Sequence, residues 1–438
     1  MTPDRDHPES TRSADGVAAA AFQLGLRLSG EGDTEGAAAA YQQAIDSGHP
    51  HWASAAAFSL GFLHAEQGDP GGAAAAYRLA IDSEHAEHAP MAALNLGNLL
   101  DEQGDTDAAV AAYRVAIESG HEESIRIALL QLGGLRARRG DAAGAEVAYR
   151  IAVASGHPDV LPTAAFNLAL TREALGDAGG AVEAYEIVVA SDHPQLAPMA
   201  VFNLALLQDK EGDLDEAAAG YQAAIDSGNA EHMPKAAVNL GLLREKLGDF
   251  AGAAAAYQQA MDTGDVDATP VATINMAKLH EKQGDATGAA ACYQAAIDSG
   301  HPEHAPEAAN ALGMLRAGQG DADGAAAAYQ IALDSGHADH APAAALRFGI
   351  LWAGQGEVAR AASAFQVAVD ARNSEVASAA AFGLGTLRAE HGDIAAARAA
   401  FQRAVEAGDP VWALRAQQRL QTLPPDARRR SIFRFRRD

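Results

Sequence analysis

The chain has 438 residues, a formal net charge of −26, and a composition that is 48% hydrophobic but only 5% aromatic. So acidic a body excludes a polyphosphate wrapped along it, because like charges would repel over the whole contact. An apolar fraction built on Ala, Leu, Val and Ile rather than on rings favours closely packed helices.

Residues 1–14 are polar and lack the charged and then apolar regions of a signal peptide, and no apolar run reaches the length of a membrane span. They are read as a disordered N-terminus, and the chain is expected in the cytoplasm. From residue 15 the sequence repeats itself. A glycine falls every 36 residues from Gly32 through Gly68 and Gly104 to Gly392, which makes eleven units without slippage. An aromatic ring follows nine residues after each glycine, from Tyr41 and Tyr77 to Phe365 and Phe401.

Each unit predicts two helices. Upstream of the glycine, a stretch such as residues 91–100 places Leu96, Leu99 and Leu100 at helical spacing. Proline recurs just ahead of it, at Pro90, Pro162, Pro198, Pro234, Pro270, Pro306 and Pro342, where the first turn has no intrahelical use for the missing N–H. The glycine suits the left-handed residue that ends a helix. The Asp after it, replaced only by Glu357, can cap the next helix by accepting a backbone N–H. In the second helix, as over residues 71–82, Ala73, Tyr77 and Ala80 share one face. Cys292 stands where other units carry Ala; as the only cysteine it forms no internal disulfide and reads as a small buried residue.

Neither helix of a pair can bury its apolar stripe alone, so stability must come from stacking neighbours into one continuous core. The expected fold is all-α: eleven helix-turn-helix repeats over residues 15–408, then a capping helix over 409–424. There Leu420 and Leu423 repeat the phase of Leu384 and Leu387, with no second helix after them. Residues 425–438 break with everything before. Behind Pro424 and Pro425, the residues Arg428, Arg429, Arg430, Arg434, Arg436 and Arg437 surround Ile432, Phe433 and Phe435. A flexible tail is expected, in contact with the acidic repeats within the chain or between copies; engagement of an anionic membrane or nucleic acid is the alternative.

The order Leu-Gly, then Gly-Asp, then Ala, Tyr and Ala resembles the tetratricopeptide repeat over residues 15–424. The period departs from the family's usual repeat of about 34 residues, and the proline follows the loop instead of closing the second helix. The Ser-Gly-His loop is similar to that of Sel1-like repeats. The resemblance implies a right-handed α-solenoid whose concave wall is lined by the first helices. It also implies a role for an Asn-Leu-Gly or Asn-Leu-Ala triplet, which is similar to the ladder in the peptide-binding arm of the O-linked N-acetylglucosamine transferases, where the amide grips the backbone of an extended peptide. That triplet, or Asn-Met-Ala, occurs here at Asn95, Asn167, Asn203, Asn239 and Asn275. Gln131 interrupts it, and Gln23, Ser59, Ala311, Arg347 and Gly383 hold the phase elsewhere.

An amide offers both a donor and an acceptor, so such a ladder reads main chain without demanding a side chain. Three residues on come Asn98, Leu170, Leu206, Leu242, Lys278 and Met314, which would add apolar contacts to the same wall. The competing reading is that the Asn side chains hydrogen-bond only between adjacent first helices and bind nothing. The lysines of the carboxylate-clamp repeats are absent, so a C-terminal acidic peptide is not the expected ligand.

Histidine forms a stripe at His49, His85, His121, His157, His193, His301 and His337, and a second at His88, His232, His304 and His340. His-x-x-His pairs bind zinc or nickel weakly, but no cysteine or fixed carboxylate completes a set of ligands. The simpler reading is a loop residue bonding to the end of the helix before it, with no metal. No phosphate-binding loop, no Gly-x-Ser-x-Gly and no His-Glu-x-x-His occurs. The sequence therefore predicts a non-catalytic scaffold without cofactors that holds a protein or extended peptide. Its alternative is a self-assembling element whose tail engages membrane or nucleic acid.

Overall fold

The computed structural model of the protein describes residues 9–424, with side chains from residue 15. The described residues form helices joined by short turns. They divide into two compact units, one up to Gly220 and one from Tyr221 onward. The first unit opens with the pairs α1 (Glu9–Gly30) and α2 (Thr34–Asp46), α3 (Pro50–Glu66) and α4 (Pro70–Asp82), α5 (His88–Glu102) and α6 (Thr106–Glu118). It continues through α7 (Glu122–Arg138) and α8 (Ala142–Ala154), α9 (Leu161–Leu175) and α10 (Ala178–Ala190), then α11 (Leu196–Glu211). Helix α12 (Leu214–Asp226) carries the boundary between the units.

The second unit holds the pairs α13 (Met233–Lys246) and α14 (Phe250–Asp262), α15 (Ala268–Lys282) and α16 (Ala286–Asp298), α17 (His304–Gly318) and α18 (Ala322–Asp334). Then come α19 (His340–Gly354) and α20 (Val358–Val369), α21 (Ser374–Glu390) and α22 (Ile394–Glu406), and last α23 (Pro410–Thr422). The chain is an all-α helical repeat solenoid. Helix α1 begins at Glu9, so the polar segment expected to be disordered is helical over its last six residues; the residues ahead of Glu9 lie outside those described.

The turn inside each pair follows from two residues. Gly104 takes a left-handed φ of 78°, where a Cβ would be strained. Asp105 beside it accepts the Ala108 N–H at 3.2 Å, satisfying one of the orphan donors at the start of α6. The same bond recurs from Asp33, Asp69, Asp141, Asp177, Asp249, Asp285, Asp321 and Asp393, whereas Glu357 makes no side-chain bond to α20.

The Leu-Gly dipeptide fixes how closely the two helices approach. Gly97 in α5 faces the Tyr113 ring of α6, and a Cβ there would lie 2.5 Å from it. The absent side chain is what lets the ring bury, and Tyr113 is 1% exposed with Ala109 and Ala116 at 0% beside it. Burying such a ring contributes roughly 2–3 kcal/mol, which makes the aromatic register the main packing element of an Ala-rich core. Cys292, in α16, is half-buried rather than fully enclosed, and desolvation followed by the charge of Asp285 pushes its thiol pKa up. Helix α23 buries Ala416 against the same kind of core, with Leu420 and Leu423 packed beside it.

Candidate functional site

Because consecutive first helices start one period apart, residues 36 apart form files along them. In the first unit Asn95, Asn167 and Asn203 are half-buried, while Leu170 and Leu206 stand exposed three residues further on. Asn98 is also half-buried, and its Oδ1 accepts the Tyr113 hydroxyl at 2.8 Å. Burial, then the charge of Asp101, pushes the Tyr113 phenol up to about 12, so it remains a neutral donor. In the second unit Asn239 and Asn275 are half-buried, and Leu242, Lys278 and Met314 are exposed. Lys278 already has a partner: its Nζ lies 3.1 Å from Glu307 Oε1 in the next first helix. Burial alone would push the Glu307 carboxyl up, but Lys278 holds it below its usual value.

Two of the amides are also engaged inward. Asn203 Nδ2 donates to the Tyr185 hydroxyl of the preceding second helix, and Asn95 hydrogen-bonds Tyr77 in the same register. Ser59 does the same to Tyr41. Each amide keeps its carbonyl and a second N–H beyond this one bond.

Sequence reasoning missed three members of the exposed file. Leu26 and Phe62 in the first unit and Ile350 in the second occupy the phase of Leu170, Leu206, Leu242 and Met314, and all seven are between 39% and 58% exposed. The period alone locates them once the search is not confined to repeats that carry Asn. A second exposed apolar file runs along the second helices, through Leu79, Val115 and Ile151 in one unit and Ile331 and Val367 in the other.

The histidines of the loops sit differently from their expected place. Their side chains bond the start of the following helix, not the end of the preceding one: His49 Nδ1 accepts the N–H groups of His51 and Trp52, both at 3.3 Å. His121 caps α7 in the same way, while His85, His157, His193, His301 and His337 accept N–H groups of the turn that leads into the next helix; Asn229, Asp265, Asn373 and Asp409 replace them in the other loops. With Nδ1 accepting, the neutral ring carries its proton on Nε2. That nitrogen faces the preceding repeat, 3.1 Å from Asp15 Oδ1 at His49 and 2.9 Å from Glu303 Oε2 at His337.

The tail residues Arg428, Arg429, Arg430, Phe433, Arg434, Phe435, Arg436 and Arg437 lie outside the described residues. Among the described residues no helix is long and apolar enough to cross a membrane.

Among solved structures, the chain is similar to c5321, a protective antigen of uropathogenic Escherichia coli with an SLR fold. The match is 19% identical, covers 96% of this chain and 90% of that one, and has a TM-score of 0.45. It is also similar to yeast Tom70, at 13% identity over 93% of this chain and 96% of that one, with a TM-score of 0.37. The C-terminal part of a repeat protein from Cytophaga hutchinsonii matches at 14% identity over 57% of this chain and 98% of that one, with a TM-score of 0.45. No curated protein matches the sequence. The tetratricopeptide repeat family model matches residues 22–89, 94–159, 166–232, 210–268, 274–340, 310–376 and 346–411. With its repeats covered from the first to the last, the chain belongs to the tetratricopeptide repeat family.

Proposed function

We propose that the protein is a non-catalytic scaffold that holds an extended segment of a partner protein against its first-helix faces. Tetratricopeptide repeats in general bind protein partners or peptides, and that coarser role is this chain's too. The finer reading rests on one observation: half-buried amides and exposed Leu or Met side chains alternate at fixed register along the first helices of each unit. Amides would take the partner's main chain, at about 0.5–1.5 kcal/mol per bond, and the apolar file would take its side chains. Several such contacts must act together.

The test uses the two exposed files against each other. A peptide selected for binding to the full chain from a random library should lose affinity at least tenfold when Leu170 and Leu206 are changed to Ser. The same change at Leu79 and Val115 on the second helices should leave it intact. The opposite pattern would move the site to the second-helix face, and binding that neither pair affects would remove the reading.

A further inference from the structure

Taken from the sequence, His85 with His88 and His337 with His340 are pairs short of a third ligand. The fold supplies it from the preceding repeat. His51, the second residue of α3, lies beside the start of α5, with its Nδ1 3.1 Å from His85 Nε2. The His85 and His88 rings stack at 4.5 Å between centroids, and His51 stands 5.3 Å from His88. One ring nitrogen from each of the three lies within 4.8 Å of the others. We propose that His51, His85 and His88 form a three-imidazole site for a zinc-class divalent cation, with the remaining coordination position open to water.

The donor chemistry favours zinc, nickel or copper over magnesium or calcium, because imidazole nitrogen suits the former and oxygen cages the latter. Tetrahedral zinc with bonds of about 2.0–2.1 Å places its ligand nitrogens about 3.3 Å apart, close to the separation already present between His51 and His85. The His88 Nδ1 is buried without a hydrogen-bond partner.

A cost accompanies binding. His85 Nδ1 accepts the N–H groups of Glu87 and His88 at 3.3 and 3.4 Å. Once Nε2 ligates a metal the ring proton must sit on Nδ1, so these two long bonds are lost. The site consequently exchanges a hydrogen-bonded state, His85 donating to His51, for a metal-bound one, and its affinity is moderate.

The trio is not a by-product of helix capping. The same register in the next three loops holds Glu87, His121 and Ser124, then Glu123, His157 and Val160, then Asp159, His193 and Leu196; these histidines also accept backbone N–H groups, yet each set offers too few ligands. The arrangement returns seven periods after His51, where Glu303, His337 and His340 converge within the same 4.8 Å, with a carboxylate in place of the first imidazole.

The experiment titrates the untagged full chain, stripped with a chelator, with zinc chloride against a chromophoric competitor, with magnesium chloride as a parallel probe. Wild type should bind zinc at micromolar concentration and ignore magnesium. His51→Ala and His85→Asn should each lose one equivalent or bind it at least tenfold more weakly, while His193→Asn should match wild type. Asn is the resident cap at Asn229 and Asn373, so His85→Asn keeps the helix start while removing the imidazole, and circular dichroism verifies the fold. A wild-type chain that binds zinc only at millimolar concentration overturns the proposal. So do His51→Ala and His85→Asn chains whose stoichiometry and affinity equal wild type, which would place the metal elsewhere.

Discussion

The Asn203 amide reaches back 3.4 Å to the Tyr185 hydroxyl, which itself donates to Glu173. One residue thus touches both the packing of its neighbours and the exposed first-helix face. Burial, then Glu173, raises the Tyr185 pKa, so the phenol stays protonated and the chain from Glu173 through Tyr185 to Asn203 persists across ordinary pH. At 3.4 Å and half-buried, the Asn203 bond is a weak one, and Asn203→Ala should lower stability by about 1 kcal/mol or less with unchanged helicity. Partner affinity should fall more when Asn167→Ala is added. Urea unfolding read beside a binding titration checks both. A loss above about 2 kcal/mol with unaltered binding would assign these amides to holding repeats together.

The glycine that faces each aromatic ring gives a second prediction. A Cβ at Gly241 would lie 2.3 Å from the Tyr257 ring, so something must move. The ring can yield, since Ala169, Ala205 and Ala277 occupy the same register and are fully buried. Gly241→Ala also gains about 1 kcal/mol of helix propensity, which offsets the crowding and should leave stability nearly unchanged. Gly241→Val adds two methyls that no repeat accommodates there and should cost about 1–3 kcal/mol. Urea midpoints of the two variants separate these outcomes.

The fold was legible because every unit restates the same few choices: the left-handed glycine, the capping Asp, the small residue opposite a ring. Periodicity amplifies them, and even the exception at Glu357 stands out. The site was legible only in part. The phase of Asn95 to Asn275 is visible, but a period does not say which way a side chain points, so the inward bonds from Asn95 to Tyr77 and from Asn203 to Tyr185 were not foreseen. Nor was the meeting of His51 with His85, because 34 residues of separation form no recognisable motif. That contact exists only because successive first helices begin side by side.

Glu357 supplies the third prediction. Its extra methylene places the carboxylate beyond the position from which every capping Asp reaches the backbone, and α20 starts without a side-chain cap. Glu357→Asp should restore the bond to the N–H of Arg360 and stabilise the protein by about 0.5–1 kcal/mol. Asp321→Ala, which removes the cap that Gly324 receives at 2.9 Å, should destabilise by a similar amount. Thermal melts of the two variants should shift in opposite directions, and a Glu357→Asp chain that melts with wild type would show that the cap contributes nothing there.

Three histidines at the starts of first helices, His88, His232 and His340, carry a pH dependence. Desolvation is the largest cause lowering the pKa of His88, His232 and His340, with the neighbouring His85 and His337 adding to it at the first and third. All three are neutral in the folded chain at a pH where the unfolded chain, with histidines near 6.5, begins to take up protons. The unfolded state therefore binds more protons as the pH falls, and stability must fall with it. The contribution is fully present above about pH 6.5 and is lost as the pH drops toward the lowered folded values. The acidic surface acts in the opposite sense, because protonating carboxylates relieves repulsion in a chain of net charge −26, but that occurs mainly below about pH 5. Melting temperature measured from pH 7.5 to 5.5 should decline, and a chain carrying His88→Gln and His340→Gln should decline less. Equal slopes for the two chains would mean that other groups carry the effect.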